Sequence, residues 1–192
     1  RDPGLGRHET SDRSVAVVCF VNVTGTPEDE WIGTGIAETV TADLKALGSL
    51  AVIGSERVAE VIRNQRAARP GLDERLATEV ARELGSRWMV SGGYQRVGDR
   101  LRINARFLEL ATGEVLHTVK VDGRASDLFV LQDRIVRELA LGLPWLGGAG
   151  SAAPEDETAV PAAYEAYTRG LFNRRTSGRE PLERAILLFE RA

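Results

Sequence analysis

The segment EDEWIGTGIAETVTADL, Glu28 to Leu44, places Gly33 and Gly35 one residue apart, a few residues after the apolar run VAVVCF. Glycines between a strand and a helix can let backbone N–H groups close on a phosphate at the positive end of the helix. The P-loop form of that chemistry needs Gly-Lys followed by Ser or Thr, and the first lysine here is Lys45. The dinucleotide form needs a third glycine where Glu38 stands. Glu28, Asp29, Glu30 and Glu38 also surround the helix start, where their carboxylates complement the dipole and repel phosphate. Gly33 and Gly35 are therefore read as allowing a tight chain turn and close packing of the helix on a sheet. One ligand reading survives: Asn22, Thr24, Thr34 and the Gly35 backbone could offer hydrogen bonds in the crevice beyond the first strand, where open α/β sheets take their ligands.

Other chemistry has less to work with. Cys19 is the only cysteine, and His8 and His117 are the only histidines. No zinc spacing or Cys/His nucleophile pair can be built from them, and neither a metal nor a cofactor is expected. Glu28, Asp29 and Glu30 read as a solvated acidic loop, and Asp99 beside Gly98 as turn chemistry. Arg102, Asn104 and Arg106 fall on one face of a strand whose other face is apolar. They read as a solvated outer sheet face and, where that face binds, as a candidate interaction face suited to an acidic protein surface. Nucleic acid is not expected, because no aromatic residues interleave for base stacking and the net charge is −3.

The elements that must position these residues follow from periodicity. The 192 residues are 43% hydrophobic and 28% charged, enough for one sizeable core. Val15–Phe20 reads as a strand buried on both faces. Ile32, Ile36, Val40, Leu44 and Leu47 line one side of the following helix, and LAVIG makes a second strand. Ser55 and Asp73 are expected to cap two further helices. From Arg87 the period changes to two, giving three antiparallel strands joined by VGD and ATGE. Asp127 is expected to cap a helix carrying Leu128, Leu131, Ile135 and Leu139. The fold class is α/β: a five-stranded mixed sheet, a strand-helix-strand unit plus an antiparallel meander, with helices largely on one face. Residues 1–14 read as a flexible lead-in, 15–142 as the α/β domain, 143–161 as a linker and 162–192 as a helical hairpin.

Taken in order, the segments VAVVCFVNVTGTPEDEWIGTGIAETVTADL, LAVIGSERV, VARELGSRWMVSGGYQRVGDRLRINARFLELATGEVL and DLFVLQDRIV resemble the TolB amino-terminal-like domain over residues 15–142. Phe20, Asn22, Gly25 and Gly35 match its first motif, and Glu83, Leu84 and Gly85 its Glu-Leu-Gly. Gly98, Asp99 and Arg100 match its hairpin, and Leu131, Gln132 and Asp133 its final helix. Cys19 and GSERVAEVI depart from it. Gly170, Ala185, Phe189 and Ala192 resemble the start of a tetratricopeptide repeat. One such repeat cannot bury its own apolar face, so the chain is expected to be a fragment with repeats beyond Ala192.

The resemblance implies a non-catalytic recognition or assembly module, not itself an enzyme, within a larger bacterial multidomain signalling or envelope-associated protein. Its partner would be another protein, or a second copy in a homodimer. A small-molecule or nucleotide sensor binding at the first strand/helix crevice is the alternative. An extracytoplasmic, periplasmic position is the one the resemblance favours, with a cytoplasmic one as the alternative. Any membrane attachment would come from segments outside this chain, since no run approaches the ~20 apolar residues of a span.

Overall fold

A computed structural model describes residues 13–66, 73–143, 161–175 and 179–190. Residues 1–12 of the expected lead-in, His8 among them, nearly all of the expected linker, the Cys19 side chain and Ala192 lie outside the described residues, while Ser14, expected in the lead-in, opens β1. The elements are β1 (Ser14–Asn22), α1 (Glu30–Ala46), β2 (Ala51–Ile53), α2 (Ser55–Arg66), α3 (Glu74–Glu83), β3 (Trp88–Val97), β4 (Arg100–Glu109), β5 (Val115–Arg124), α4 (Leu128–Gly142), α5 (Pro161–Arg175) and α6 (Arg179–Phe189).

One sheet runs in the order β2-β1-β3-β4-β5. The β1 strand lies parallel to both β2 and β3, whereas β3, β4 and β5 form the antiparallel meander. The mixed five-stranded architecture read from the periods is the one observed. Gly98 and Gly113 take φ of +59° and +75° at the two meander turns, the left-handed region that glycine enters without a Cβ penalty.

The alternation of β1 explains its continuous apolar run. Val15 and Val17 join a core with α1 and α4, while Ala16 and Val18 join a second core with α2 and α3. Helices therefore cover both faces of the sheet near β1 and β3, which corrects the expectation of one covered face. Farther along, β4 and β5 bury Leu101, Ile103, Ala105, Phe107, Val119 and Val121 on the α1/α4 side and turn polar residues to the other.

The helix starts divide the expected caps. Asp73 caps α3, its carboxylate accepting from the Leu76 N–H at 2.8 Å. Ser55 does not cap α2: the Gly54 carbonyl accepts the first helical N–H groups, of Arg57 and Val58, and Ser55 Oγ donates to Glu38 at 2.9 Å. Asp127 stands at the cap position of α4 without a capping bond, because the preceding chain, Ala125–Asp127, is already wound as a 3-10 turn.

Candidate functional site

Helix α1 has two working sides, set by its two glycines. A Cβ on Gly33 would run into the Phe20 carbonyl and stand 3.0 Å from the Tyr94 ring, so Gly33 lets α1 close on the sheet. A Cβ on Gly35 would instead meet Tyr164 Oη at 3.0 Å and Thr168 Cγ2 at 3.2 Å. Two residues along a helix is about 200°, which sends the two positions to opposite sides. Gly35 thus seats α5, and the expectation that both glycines serve the sheet is corrected for it.

Tyr164 is the hub of that seat. Its hydroxyl donates to the Gly35 carbonyl at 2.9 Å, receives Gln132 Nε2 at 2.9 Å and lies 3.0 Å from Thr39 Oγ1. Its ring meets Phe129 edge-on at 4.6 Å between centroids. Residues of α1, α4 and α5 therefore converge on one oxygen. At the other end of α5, Arg175 pairs with Glu38 and, at 3.3 Å, with Glu56, and Arg174 also pairs with Glu56. Arg169 Nη2 donates to the Glu28 carbonyl at 3.3 Å and its guanidinium lies 5.2 Å from the centre of the Trp31 ring. Helix α6 is carried on α5, with the Phe189 ring lying where a Gly170 side chain would be.

The acidic segment is consumed by structure. Asp29 is buried and pairs with Arg96 at 2.7 Å, while its carbonyl accepts from Tyr94 Oη at 2.8 Å. Burial, assisted by the charge of Glu30, pushes the Tyr94 phenol well above its ordinary range, which keeps it neutral into alkaline pH where a free phenol ionises. The crevice candidates are likewise engaged. The Asn22 amide donates to the Thr26 carbonyl and Glu30 and accepts from Gly25 N–H at 3.1 Å. Thr24 Oγ1 accepts the Arg96 N–H at 3.1 Å. Thr34 is buried within α1, and Gly35 faces α5 rather than the crevice.

A cleft of about 240 Å³ opens one strand away from the expected crevice. Trp31, Arg96, Asp99, Phe129, Tyr164 and Glu165 contribute to its walls. The outer sheet face forms as the alternation of β4 requires, with Arg102, Asn104 and Arg106 on it. Each arginine has a carboxylate: Arg102 Nε bonds Asp122 Oδ1 at 2.5 Å, and Arg106 reaches Glu74 of α3 at 3.0 Å. The Arg102 guanidinium holds the Asp122 carboxyl below the usual carboxylate range through that hydrogen bond, which in turn raises Arg102. Among the described residues no group of three or more His, Cys, Asp or Glu could hold a metal, and no helix is long and apolar enough to cross a membrane.

Gln132 and Tyr164 were missed as a pair by reasoning from sequence. Gln132 lies between Leu131 and Ile135 on the apolar stripe of α4 and is fully buried. A polar residue on such a stripe is a signal for a buried partner, but nothing local to it points to a tyrosine 32 residues on.

These features define an open-edged α/β domain with a helical pair clamped to its first helix. No protein-family profile matches the chain. A stretch of 158 residues, 81% of the chain, is 31% identical to "Putative adenylate cyclase 3" of Rhizobium meliloti (strain 1021). The chain spans only about a quarter, 25%, of that relative's length. Among solved structures, lipoprotein GNA1162 from Neisseria meningitidis is similar with a TM-score of 0.50 at 16% identity, over 68% of this chain and 99% of that one. TolB from Acinetobacter baumannii is similar with a TM-score of 0.46 at 14% identity, over 68% of this chain and 28% of that one. The likeness to GNA1162 shows a shared fold.

Proposed function

We propose that this chain is a non-catalytic recognition and assembly module of a larger bacterial signalling or envelope-associated protein. The observation that carries this reading is the division of its polar chemistry. The side chains that could act on a substrate, Asp29, Glu38, Tyr94, Arg96, Tyr164 and Arg175, are spent on internal pairs that fix α1, α4 and α5. Meanwhile the β4–β5 half presents one open sheet face and a long strand edge. Two surfaces serve recognition, the Arg102/Asn104/Arg106 face and the helical pair. In this reading the α5–α6 pair is tetratricopeptide-like, and residues 143–161 are the linker to it. The likeness to a putative adenylate cyclase supports a place in a signalling protein, and the fold shared with a lipoprotein supports envelope association.

Photo-crosslinking in the source cell tests this. A photoreactive residue at Asn104, on the open face, is expected to capture protein, and one at Glu60, on the exposed side of α2, is not. Failure of position 104 and of matching positions on α6 to capture any protein would sink the reading.

A second reading, a small-molecule or nucleotide sensor, is supported by one observation. The 240 Å³ cleft stands beyond the carboxyl end of β3, at the end of the sheet where α/β ligands collect, with three aromatic residues in its walls. In this form the site moves from Asn22, Thr24, Thr34 and Gly35 to Trp31, Phe129 and Tyr164. A ligand that binds the native state must raise the melting temperature. Thermal-shift screening with nucleotides and small metabolites at millimolar concentration, giving no stabilisation that Phe129→Ala abolishes, would eliminate it.

A further inference from the structure

The recognition reading leaves open which surface joins which partner, and β5 answers part of that. It is the last strand of the sheet and runs ten residues, Val115–Arg124, without a proline. No described residue pairs with its outer edge. Strand edges of this length offer a row of unpaired N–H and C=O groups and associate unless they are blunted.

The side chains of β5 divide by parity. His117, Val119, Val121 and Gly123 face α4: the valines belong to its core, a Cβ on Gly123 would meet Leu131 at 2.6 Å, and the His117 ring lies where a Gly142 side chain would be. Thr118, Lys120, Asp122 and Arg124 are exposed on the open face. Antiparallel pairing of two β5 edges must preserve these faces, so only even shifts of register keep apolar beside apolar.

Charge and overlap then select among those registers: an axis through Gly123 would also set Asp122 against Arg124, but it would overlap only residues 122–124 of each strand. A two-fold axis through Lys120 would set two lysines directly opposite. An axis through Asp122 would set two carboxylates opposite and Lys120 against Arg124. An axis through Val121 sets Lys120 against Asp122 twice, and places Val121 beside Val121 and Val119 beside Gly123 on the core side. Opposite charges at directly facing positions stabilise a strand pair, and like charges destabilise it.

The Val121 register also extends a row already present. Gln95, Arg102 and Asp122 are cross-strand neighbours on β3, β4 and β5, and Arg102 holds Asp122. Adding Lys120 of the partner subunit completes an alternating row in which the Asp122 carboxylate has a cation on each side. The same operation brings the two α4 helices to one side of the joined sheet. Val130 and Leu141 are 64% and 70% exposed on that helix. Eleven residues apart, they lie within about 20° of each other around the helix.

We propose that this chain recognises a second copy of itself, the two β5 edges pairing antiparallel about Val121 into one continuous sheet. The proposal rests on the recognition reading and specifies its partner.

Light scattering and sedimentation velocity on the 192-residue chain test it across a concentration series. The wild-type chain is expected to double in mass with concentration. Lys120→Glu places Glu against Asp122 and Asp122→Lys places Lys against Lys120, and each is expected to raise the dimer dissociation constant about ten-fold or more. Mixing the two variants puts Glu against Lys and Asp against Lys in a heterodimer, so the mass is expected to return. Circular dichroism and melting curves of each variant show that it is folded. A chain that stays monomeric at every concentration overturns self-pairing while leaving recognition of another protein to the crosslinking test. A dimer indifferent to Lys120→Glu overturns the edge, and folded variants that do not associate on mixing overturn the register.

Discussion

The two halves of the sheet are built from the same residue types under different rules. Strand β1 is sandwiched, with helices against Val15 and Val17 on one face and against Ala16 and Val18 on the other. Strands β4 and β5 bury one face and leave Arg102, Asn104, Lys120 and Asp122 on the other. A parallel strand covered on both sides has no surface to offer, whereas an antiparallel meander can face water or a partner. The first half therefore supplies rigidity and the seat for α5, and the second half supplies the surface. Helix α1 repeats the contrast on a smaller scale, since Gly33 serves the sheet and Gly35 the helical pair.

The glycines give the largest test of that contrast. Glycine to alanine inside a helix gains up to about 1 kcal/mol of propensity. At Gly33 the new methyl meets the backbone of β1, which cannot rotate away, so Gly33→Ala is expected to cost about 2–4 kcal/mol net in urea unfolding. At Gly35 it meets only side chains of α5. Gly35→Ala is expected to leave the main unfolding transition within about 1 kcal/mol while speeding proteolysis of α5 and α6. Equal losses at both positions would erase the distinction.

The clasp at the far end of α5 ranks next. The Arg175 and Glu38 side chains are 13% and 23% exposed, so water screens them only in part. Glu38→Gln is expected to cost about 1–2 kcal/mol, moderated because Glu56 still reaches Arg175. Hydrogen exchange should place the loss in α5 and α6 rather than in β1 and β3.

How much of this could be read from the residues alone follows the same divide. The meander was legible because Leu101, Ile103, Ala105 and Phe107 alternate with polar residues and glycines mark both turns. The buried strand was legible as a run of β-branched residues. The seat of α5 was not, because the periodicity of α1 shows that its apolar side packs but not what lies against Gly35. The helix starts at Ser55 and Asp127 misled for a local reason: Glu38 and a 3-10 turn competed for the groups that would have made the caps. The four crevice residues have hydrogen-bonding capacity in the sequence, but the fold uses that capacity internally in Asn22 and Thr24.

Tyr94 ties the two halves together, and its effect is smaller. Tyr94→Phe removes the hydroxyl that donates to the Asp29 carbonyl and is expected to cost about 1 kcal/mol at neutral pH. Because burial raises the folded phenol above its unfolded value, the unfolded chain loses its proton first as pH rises. Stability contributed by the neutral phenol is therefore full below about pH 10 and declines above it. The mutant should show a flatter alkaline limb in denaturation followed from pH 8 to 12. An identical limb would mean that Tyr94 is not held neutral in the folded chain.

Asp122 gives the smallest expected effect on the isolated fold. Its pairing with Arg102 lowers the folded carboxyl, so that contribution is present above the unfolded value and is lost only as pH falls through the lower folded one. The pair is about half exposed, and Asp122→Asn is expected to leave the melting temperature at pH 7 unchanged within error in protein dilute enough to be monomeric. A clear drop would make the open face part of the scaffold rather than a surface held ready.

Amide hydrogen exchange across a dilution series tests the central claim most directly, because it reads both halves in one sample. Amides of β1 and β3 should exchange slowly and at one rate at all concentrations. The outward amides of β5 should be protected in concentrated protein and lose that protection on dilution, in step with the fall in mass. Protection of β5 that does not depend on concentration, or concentration dependence confined to other elements, would contradict the assignment of this edge as the recognition surface.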